Sequence, residues 1–99
     1  MKTLLENYIK LSDKYSEMLH AEDREGYDMD LAKELDAAGK ALRKAAKEKG
    51  MDIPQLKSHL YKFNSSNISR YSNNKSYAEQ CKGRRELNIR ILEAFLGIK

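Results

Sequence analysis

The chain has 99 residues, of which 40% are hydrophobic and 34% are charged, so its length predicts one domain with a modest core. No apolar run approaches the roughly 18–20 residues of a membrane span, and no signal-peptide segment is recognisable; we expect a cytoplasmic protein without membrane contact. The single cysteine, Cys81, cannot form an internal disulfide, and with two isolated histidines it is too little for a metal site. No metal or cofactor is therefore expected.

The net charge of +4 is unevenly distributed along the chain. Residues 1–38 carry 5 Lys/Arg and 10 Asp/Glu, whereas residues 39–99 carry 14 Lys/Arg and 5 Asp/Glu. A basic half is typical of a protein that meets phosphates, and a basic surface exposed only to solvent is the alternative. The chain is predicted to divide into an acidic N-terminal helix with its connector, residues 1–30, and a basic domain, residues 31–99.

The first predicted element is an amphipathic helix from about Lys2 to Leu19, because apolar residues recur there at alternating spacings of four and three. The residues of this stripe are Leu4, Tyr8, Leu11, Tyr15 and Met18. The stripe could pair with its twin in a homodimer, bind another protein, or pack on the rest of its own chain. Residues 20–30 then break the pattern with charges and Gly26, which predicts a connection.

The second predicted helix begins at a cap formed by Asp28 or Asp30, since a carboxylate there accepts free backbone N–H groups. It runs to about Lys49, and Gly50 ends it because glycine readily takes the left-handed conformation that follows a helix. The inward positions of this helix are Leu31, Leu35, Ala38, Leu42 and Ala45 or Ala46.

Two short helices are predicted next, separated by a tight turn at residues 61–63. The first has Asp52 as its cap and Pro54 in its first turn, and it is about eight residues long. Its inward residues are Leu56 and Leu60. The second covers residues 65–72 and is almost entirely polar, with Ile68 and Tyr71 three residues apart as its inward face.

The C-terminal region is predicted to hold a short segment followed by a final apolar helix. The segment contains Tyr77, Ala78 and Cys81, and the inward residues of the final helix are Leu87, Ile91, Leu92 and Phe95. Alternating β-branched runs are almost absent from the chain, so the predicted class is all-α, a small helical bundle.

Three stretches together resemble the Cro/lambda-repressor-like (XRE-type) helix-turn-helix family of DNA-binding proteins, over about residues 38–99. They are "KALRKAAKEKGMDIPQL" (residues 40–56), "NISRYSNNK" (residues 67–75) and "ILEAFLGI" (residues 91–98). The chain differs from the usual family pattern in two places: Lys57 stands where the family usually has Ala, and the turn is one residue longer.

The resemblance implies that the polar helix at residues 65–72 enters the major groove of duplex DNA and that a homodimer binds a palindromic site. Short donors and acceptors can then reach base edges, and basic or amide groups at the exit can contact the backbone. The residues expected at base edges are Ser65, Ser66, Asn67, Ser69 and Arg70. The residues expected at phosphates are Asn73, Asn74, Lys75, Lys57, Arg84 and Arg85.

The predicted function is therefore sequence-specific binding of double-stranded DNA, as in a small bacterial or phage transcriptional regulator or repressor. An enzyme is not expected, because no nucleophile, phosphate-binding loop or pair of catalytic carboxylates can be assembled with convincing spacing. The alternative is a protein-binding adaptor, phage inhibitor or antitoxin on the same scaffold, since a fold does not fix a function. The acidic N-terminal helix is the candidate surface for such a protein partner.

Overall fold

A computed structural model describes residues 1–20 and 28–98 of the chain. Those residues form four α-helices and no strand, and this confirms the predicted all-α helical bundle. The helices are α1 (Lys2–Leu19), α2 (Met29–Glu48), α3 (Ile53–Ser69) and α4 (Lys75–Leu96). Most of the predicted connection, residues 21–27, lies outside the described part. Within that part no helix has the length and apolarity needed to cross a bilayer.

Helix α1 has the predicted bounds and packs on its own chain. Tyr8 and Leu11 of the predicted stripe are buried, and Leu5 is buried where Leu4 was expected. The remaining buried positions of α1 are polar, namely Ser12 and Ser16. The sequence left three arrangements open for this helix: pairing in a homodimer, binding to another protein, or packing on its own chain. In the structure α1 packs against α2 and α3 of the same chain.

Helix α2 confirms the local signals read from the sequence. Asp28 is its cap, and its carboxylate accepts the backbone N–H groups of Asp30 and Leu31 at 2.9 and 3.2 Å. Gly50 has a φ of +73° just beyond the helix, a conformation that favours glycine. The buried residues of this helix are Ala38, Gly39, Leu42 and Ala46.

Helix α3 begins as predicted, with Asp52 accepting the backbone N–H of Gln55 at 3.1 Å and with Pro54 in the first turn. The predicted turn at residues 61–63 and the separate recognition helix at residues 65–72 are wrong, because α3 continues without a break to Ser69. No glycine or proline interrupts residues 55–69, and Phe63, at the predicted turn, is fully buried in the core. Burial of that aromatic ring stabilises a helix through the predicted turn.

Helix α4 likewise joins two predicted elements into one. Asn74 is its cap and accepts the backbone N–H of Tyr77 at 3.1 Å, and Gly97 ends it with a φ of +70°. Leu92 is buried as predicted, whereas Leu87 is exposed, and Leu96, which was not among the predicted inward residues, is buried. Ile91 and Phe95 are half-buried.

The hydrophobic core is shared by all four helices. Its buried residues are Leu5, Tyr8, Leu11, Ala38, Leu42, Ala46, Leu56, Leu60, Phe63, Leu92 and Leu96. Helix α1 contributes Leu5, Tyr8 and Leu11 to this core. The predicted N-terminal helix therefore shares one core with the helices of the predicted basic domain. The predicted anchors Ile68 and Tyr71 are only half-buried and do not belong to the core cluster.

Candidate functional site

The five residues predicted to read base edges lie on two different sides of α3. Ser65, Ser66 and Ser69 line a groove between α3 and α4. Asn67 and Arg70 point to the other side, where α1 and α4 meet α3, and make hydrogen bonds or ion pairs there. The structure therefore does not bring the predicted reading residues together on one exposed face.

Asn67 is fully buried, with 0% of its surface exposed. Its side-chain nitrogen donates to Ser12 Oγ at 3.1 Å and to Asp13 Oδ1 at 2.9 Å, and its oxygen accepts from Arg85 Nε at 3.0 Å. Both donors of the amide are used inside the protein, so no donor remains for an adenine. The predicted base contact by Asn67 is therefore wrong for this structure, and Ser66 is also buried.

Asp13 of α1 is the centre of this internal network. Arg85 Nη2 donates to both of its carboxylate oxygens at 3.0 Å, and Arg70 Nη2 lies 3.5 Å from Oδ1. Arg85 also donates to Glu86 at 2.8 Å, and its side chain is only 14% exposed. The predicted phosphate contact by Arg85 is therefore wrong for this structure, because its Nε donates to Asn67 and its Nη1 and Nη2 donate to carboxylates.

Arg70 is held by an aromatic neighbour as well as by Asp13. Its Nη2 donates to the Tyr71 hydroxyl at 3.1 Å, and its guanidinium lies 4.8 Å from the centre of the Tyr71 ring. Its Nε is buried without a hydrogen-bond partner. With this geometry Arg70 links the end of α3 to α1, and its Nη2 donates inside the fold and not to a base edge.

The same polar contact region continues towards the core through Tyr8 and Asn64. The Asn64 amide donates to the Tyr8 hydroxyl, and its oxygen accepts from Ser12 Oγ at 2.7 Å. Burial raises the pKa of the Tyr8 phenol above its ordinary value, while this hydrogen bond and Arg43 act in the opposite direction. We call the set of Tyr8, Ser12, Asp13, Asn64, Asn67, Arg70 and Arg85 the polar layer. Sequence reasoning missed it.

The groove between α3 and α4 has a volume of about 300 Å³ and combines three kinds of side chain. Large apolar groups are exposed at Tyr61 (75%), Tyr77 (44%) and Leu87 (56%). Two cations, Lys62 and Arg84, also line it, and among the described residues no carboxylate does. The remaining lining residues are Ser65, Ser66, Ser69, Cys81 and Asn88.

The other predicted phosphate contacts are accessible in the structure. Lys57, Lys75 and Arg84 are exposed, as are Asn73 and Asn74 at the connection between α3 and α4. The side chain of Asn74 is used as the cap of α4. Thus the exposed members of the predicted set are cations and short polar groups on the outer surface of α3 and α4.

Comparison with known proteins found no matching family model, no matching curated protein and no matching solved structure. The resemblance to the Cro/lambda-repressor-like family therefore stays a prediction, and the turn that it places at residues 61–63 lies within α3.

Proposed function

We propose that the protein is a non-enzymatic DNA-binding protein that holds duplex DNA through phosphate contacts on the outer surface of α3 and α4. The observation that supports this proposal is the excess of exposed cations there. Residues 53–98 carry 8 Lys/Arg and 3 Asp/Glu. The exposed cations are Lys57, Lys62, Lys75, Lys82, Arg84 and Arg90.

The proposed binding is driven by charge, because Asn67 and Arg70, two of the residues expected to read bases, have their side chains bonded inside the fold. Cations that neutralise phosphates release condensed counterions, and this makes the affinity strongly dependent on salt. Exposed Ser65 and Asn73 can add hydrogen bonds to phosphates or sugars, which position a protein without reading the sequence. Occupancy of promoter DNA is the proposed route by which such a protein regulates transcription.

The test is the salt dependence of binding to a labelled duplex of about 20 base pairs, measured by fluorescence anisotropy. If about five phosphates are neutralised, log K falls with log salt at a slope of about −4 to −5. Lys57→Ala and Lys75→Ala each make this slope shallower by about one unit, whereas Lys33→Ala on α2 leaves it unchanged. A slope near zero for the unchanged protein excludes the proposal.

A second candidate function, a protein-binding module, is favoured by a separate observation. Tyr61, Tyr77 and Leu87 expose large apolar groups on one groove, and exposed apolar groups that share one surface are typical of protein contacts. Phosphate binding does not require such groups.

A further inference from the structure

We propose that the α3–α4 groove binds an acidic amphipathic helix of a partner protein. This inference goes beyond DNA binding, because it rests on the apolar groups of the groove and not on the overall excess of cations. Three properties of the groove support this inference, namely its exposed apolar groups, its charge and its shape.

The apolar groups are concentrated in this one place. Within residues 1–20 and 28–98, five large hydrophobic side chains are exposed, and three of them, Tyr61, Tyr77 and Leu87, line the groove. The other two are Leu19 and Met29. Tyrosine is favoured at protein interfaces because its ring packs against apolar groups while its hydroxyl stays hydrogen-bonded. The groove thus offers anchoring positions to an apolar stripe.

The charge of the groove selects an acidic partner. Lys62 of α3 and Arg84 of α4 line it, and Lys57, one turn before Tyr61, is exposed beside it. No described carboxylate lines the groove and competes for these cations. A second copy of this chain, docked by the same groove about a two-fold axis, brings Lys62 and Arg84 close to their own copies. Like-charge repulsion disfavours that arrangement.

The shape of the groove suits a helix. Helices α3 and α4 run antiparallel, because Asn67 accepts from Arg85 whereas Asn88, further along α4, donates to the carbonyl of the earlier residue Lys62 at 3.3 Å. From Tyr61 to Ser69 the groove runs for about 12 Å, or two helical turns. Ser65 and Ser69 stand one turn apart and are small, so they let a partner backbone approach closely. A helix with apolar residues at i, i+3 or i+4, and i+7 fits such a groove.

The test uses the full chain and a synthetic probe. The probe is a labelled acidic peptide of about 16 residues, with leucines at i, i+3, i+4 and i+7 and glutamates on both flanks of that stripe. A second peptide has the same composition with the leucines dispersed. We expect the amphipathic peptide to bind at least about tenfold more tightly than the dispersed one. Chemical shifts of backbone amides in α3 and α4 are expected to change most on addition of the amphipathic peptide.

Matched variants separate the groove from general attraction. The double variant Tyr61→Ala/Leu87→Ala is expected to weaken peptide binding at least about tenfold, whereas Met29→Ala, at an exposed apolar residue outside the groove, leaves it unchanged. Arg84→Glu weakens peptide binding, and Lys33→Glu on α2 serves as its charge-matched control. Because Tyr61 and Leu87 are mostly exposed, their truncation leaves the melting temperature nearly unchanged.

Three results overturn the inference: no binding of the amphipathic peptide, equal binding of the dispersed peptide, or undiminished binding by the Tyr61→Ala/Leu87→Ala variant. The proposal on DNA is tested separately, because that double variant keeps every charge and is expected to retain the salt slope on duplex DNA. Loss of DNA binding with intact peptide binding, or the reverse, therefore identifies which of the two proposals fails.

Discussion

Replacement of Asp13 by alanine tests whether the polar layer holds α1 in place. The change removes the carboxylate that accepts from Arg85 at 3.0 Å and from Asn67 at 2.9 Å and that pairs with Arg70 at 3.5 Å. Breaking a buried ion pair from one side costs about 3–5 kcal/mol, because the remaining charge stays buried without a partner. Since the Asp13 side chain is 31% exposed, water can replace part of the interaction, and we expect about 2–3 kcal/mol.

The quantity to measure is the free energy of unfolding, obtained from urea denaturation monitored by circular dichroism. In a domain of this size the expected loss corresponds to a fall in melting temperature of about 10–20 °C. Asp36→Ala is the matched control, because Asp36 forms an exposed ion pair with Lys40 at 3.0 Å and such pairs contribute less than about 1 kcal/mol. Both changes replace Asp by Ala inside a helix, so the difference in helix propensity cancels.

The outcome that refutes this reasoning is equal stability of the Asp13→Ala and Asp36→Ala variants. Such a result means that α1 is held by its apolar contacts alone and that the bonds of the polar layer are balanced by the desolvation of their charges. Asp13→Asn adds a finer step, because the amide keeps the shape and one acceptor but loses the charge. We expect it to lie between the unchanged protein and Asp13→Ala.

Two further predictions concern the core. Phe63→Ala is expected to lower the free energy of unfolding by about 3–5 kcal/mol because the ring is fully buried. Truncation of exposed Tyr61 to alanine is expected to have little effect. If urea unfolding shows equal losses of stability for the two variants, the inward face assigned to α3 is wrong. Since burial raises the pKa of Tyr8, the stability that it contributes is complete below the unfolded value of about 10 and falls as pH rises beyond it. Urea unfolding at rising pH measures this fall, and Tyr8→Phe is expected to reduce it.

The elements that the sequence predicted well are fixed by interactions within a few residues. In the cap of α2, the Asp28 carboxylate accepts from backbone N–H groups two and three residues later in the sequence. In the cap of α3, Asp52 accepts from the N–H group of Gln55, three residues later. Gly50 ends a helix through its own backbone conformation. Such signals are visible in any short window of sequence, so α2 and the start of α3 could be placed correctly, whereas α1 was placed by the periodic spacing of its apolar residues.

The break predicted inside α3 was wrong because its polar residues have distant partners. Asn64 bonds to Tyr8 and Ser12, which are 56 and 52 residues away in the sequence. In a short window the run of Asn and Ser is typical of a turn, since these side chains often bond to nearby backbone. Tertiary partners that satisfy the side chains remove that reason for a turn, and a single sequence does not reveal them.

The spacing of residues along α3 did indicate that Asn67 and Arg70, two of the residues predicted to contact bases, face inward. One stripe with alternating spacings of four and three runs through Leu56, Leu60, Phe63, Asn67 and Arg70. Its first three members are buried core residues, and Asn67 continues it with no exposure. Ser65 and Ser69 are two residues away from Asn67, which places them about 200° around the helix. The two sets therefore could not share one face.

The inward faces of α1 and α3 change from apolar to polar at the same level of the bundle. In α1 the change follows Leu5 and Tyr8, where Ser12 and Asp13 begin, and in α3 it follows Phe63. Arg85 of α4 reaches both. If α1 slipped by one turn along α3, Arg70 and Arg85 would lose the carboxylate of Asp13. An entirely apolar face tolerates such a slip more easily, because no buried charge is left without its partner. The polar character of Asn64, Asn67 and Arg70 thus follows from their packing against α1, and the groove and the exposed cations are the surfaces that we propose for partners.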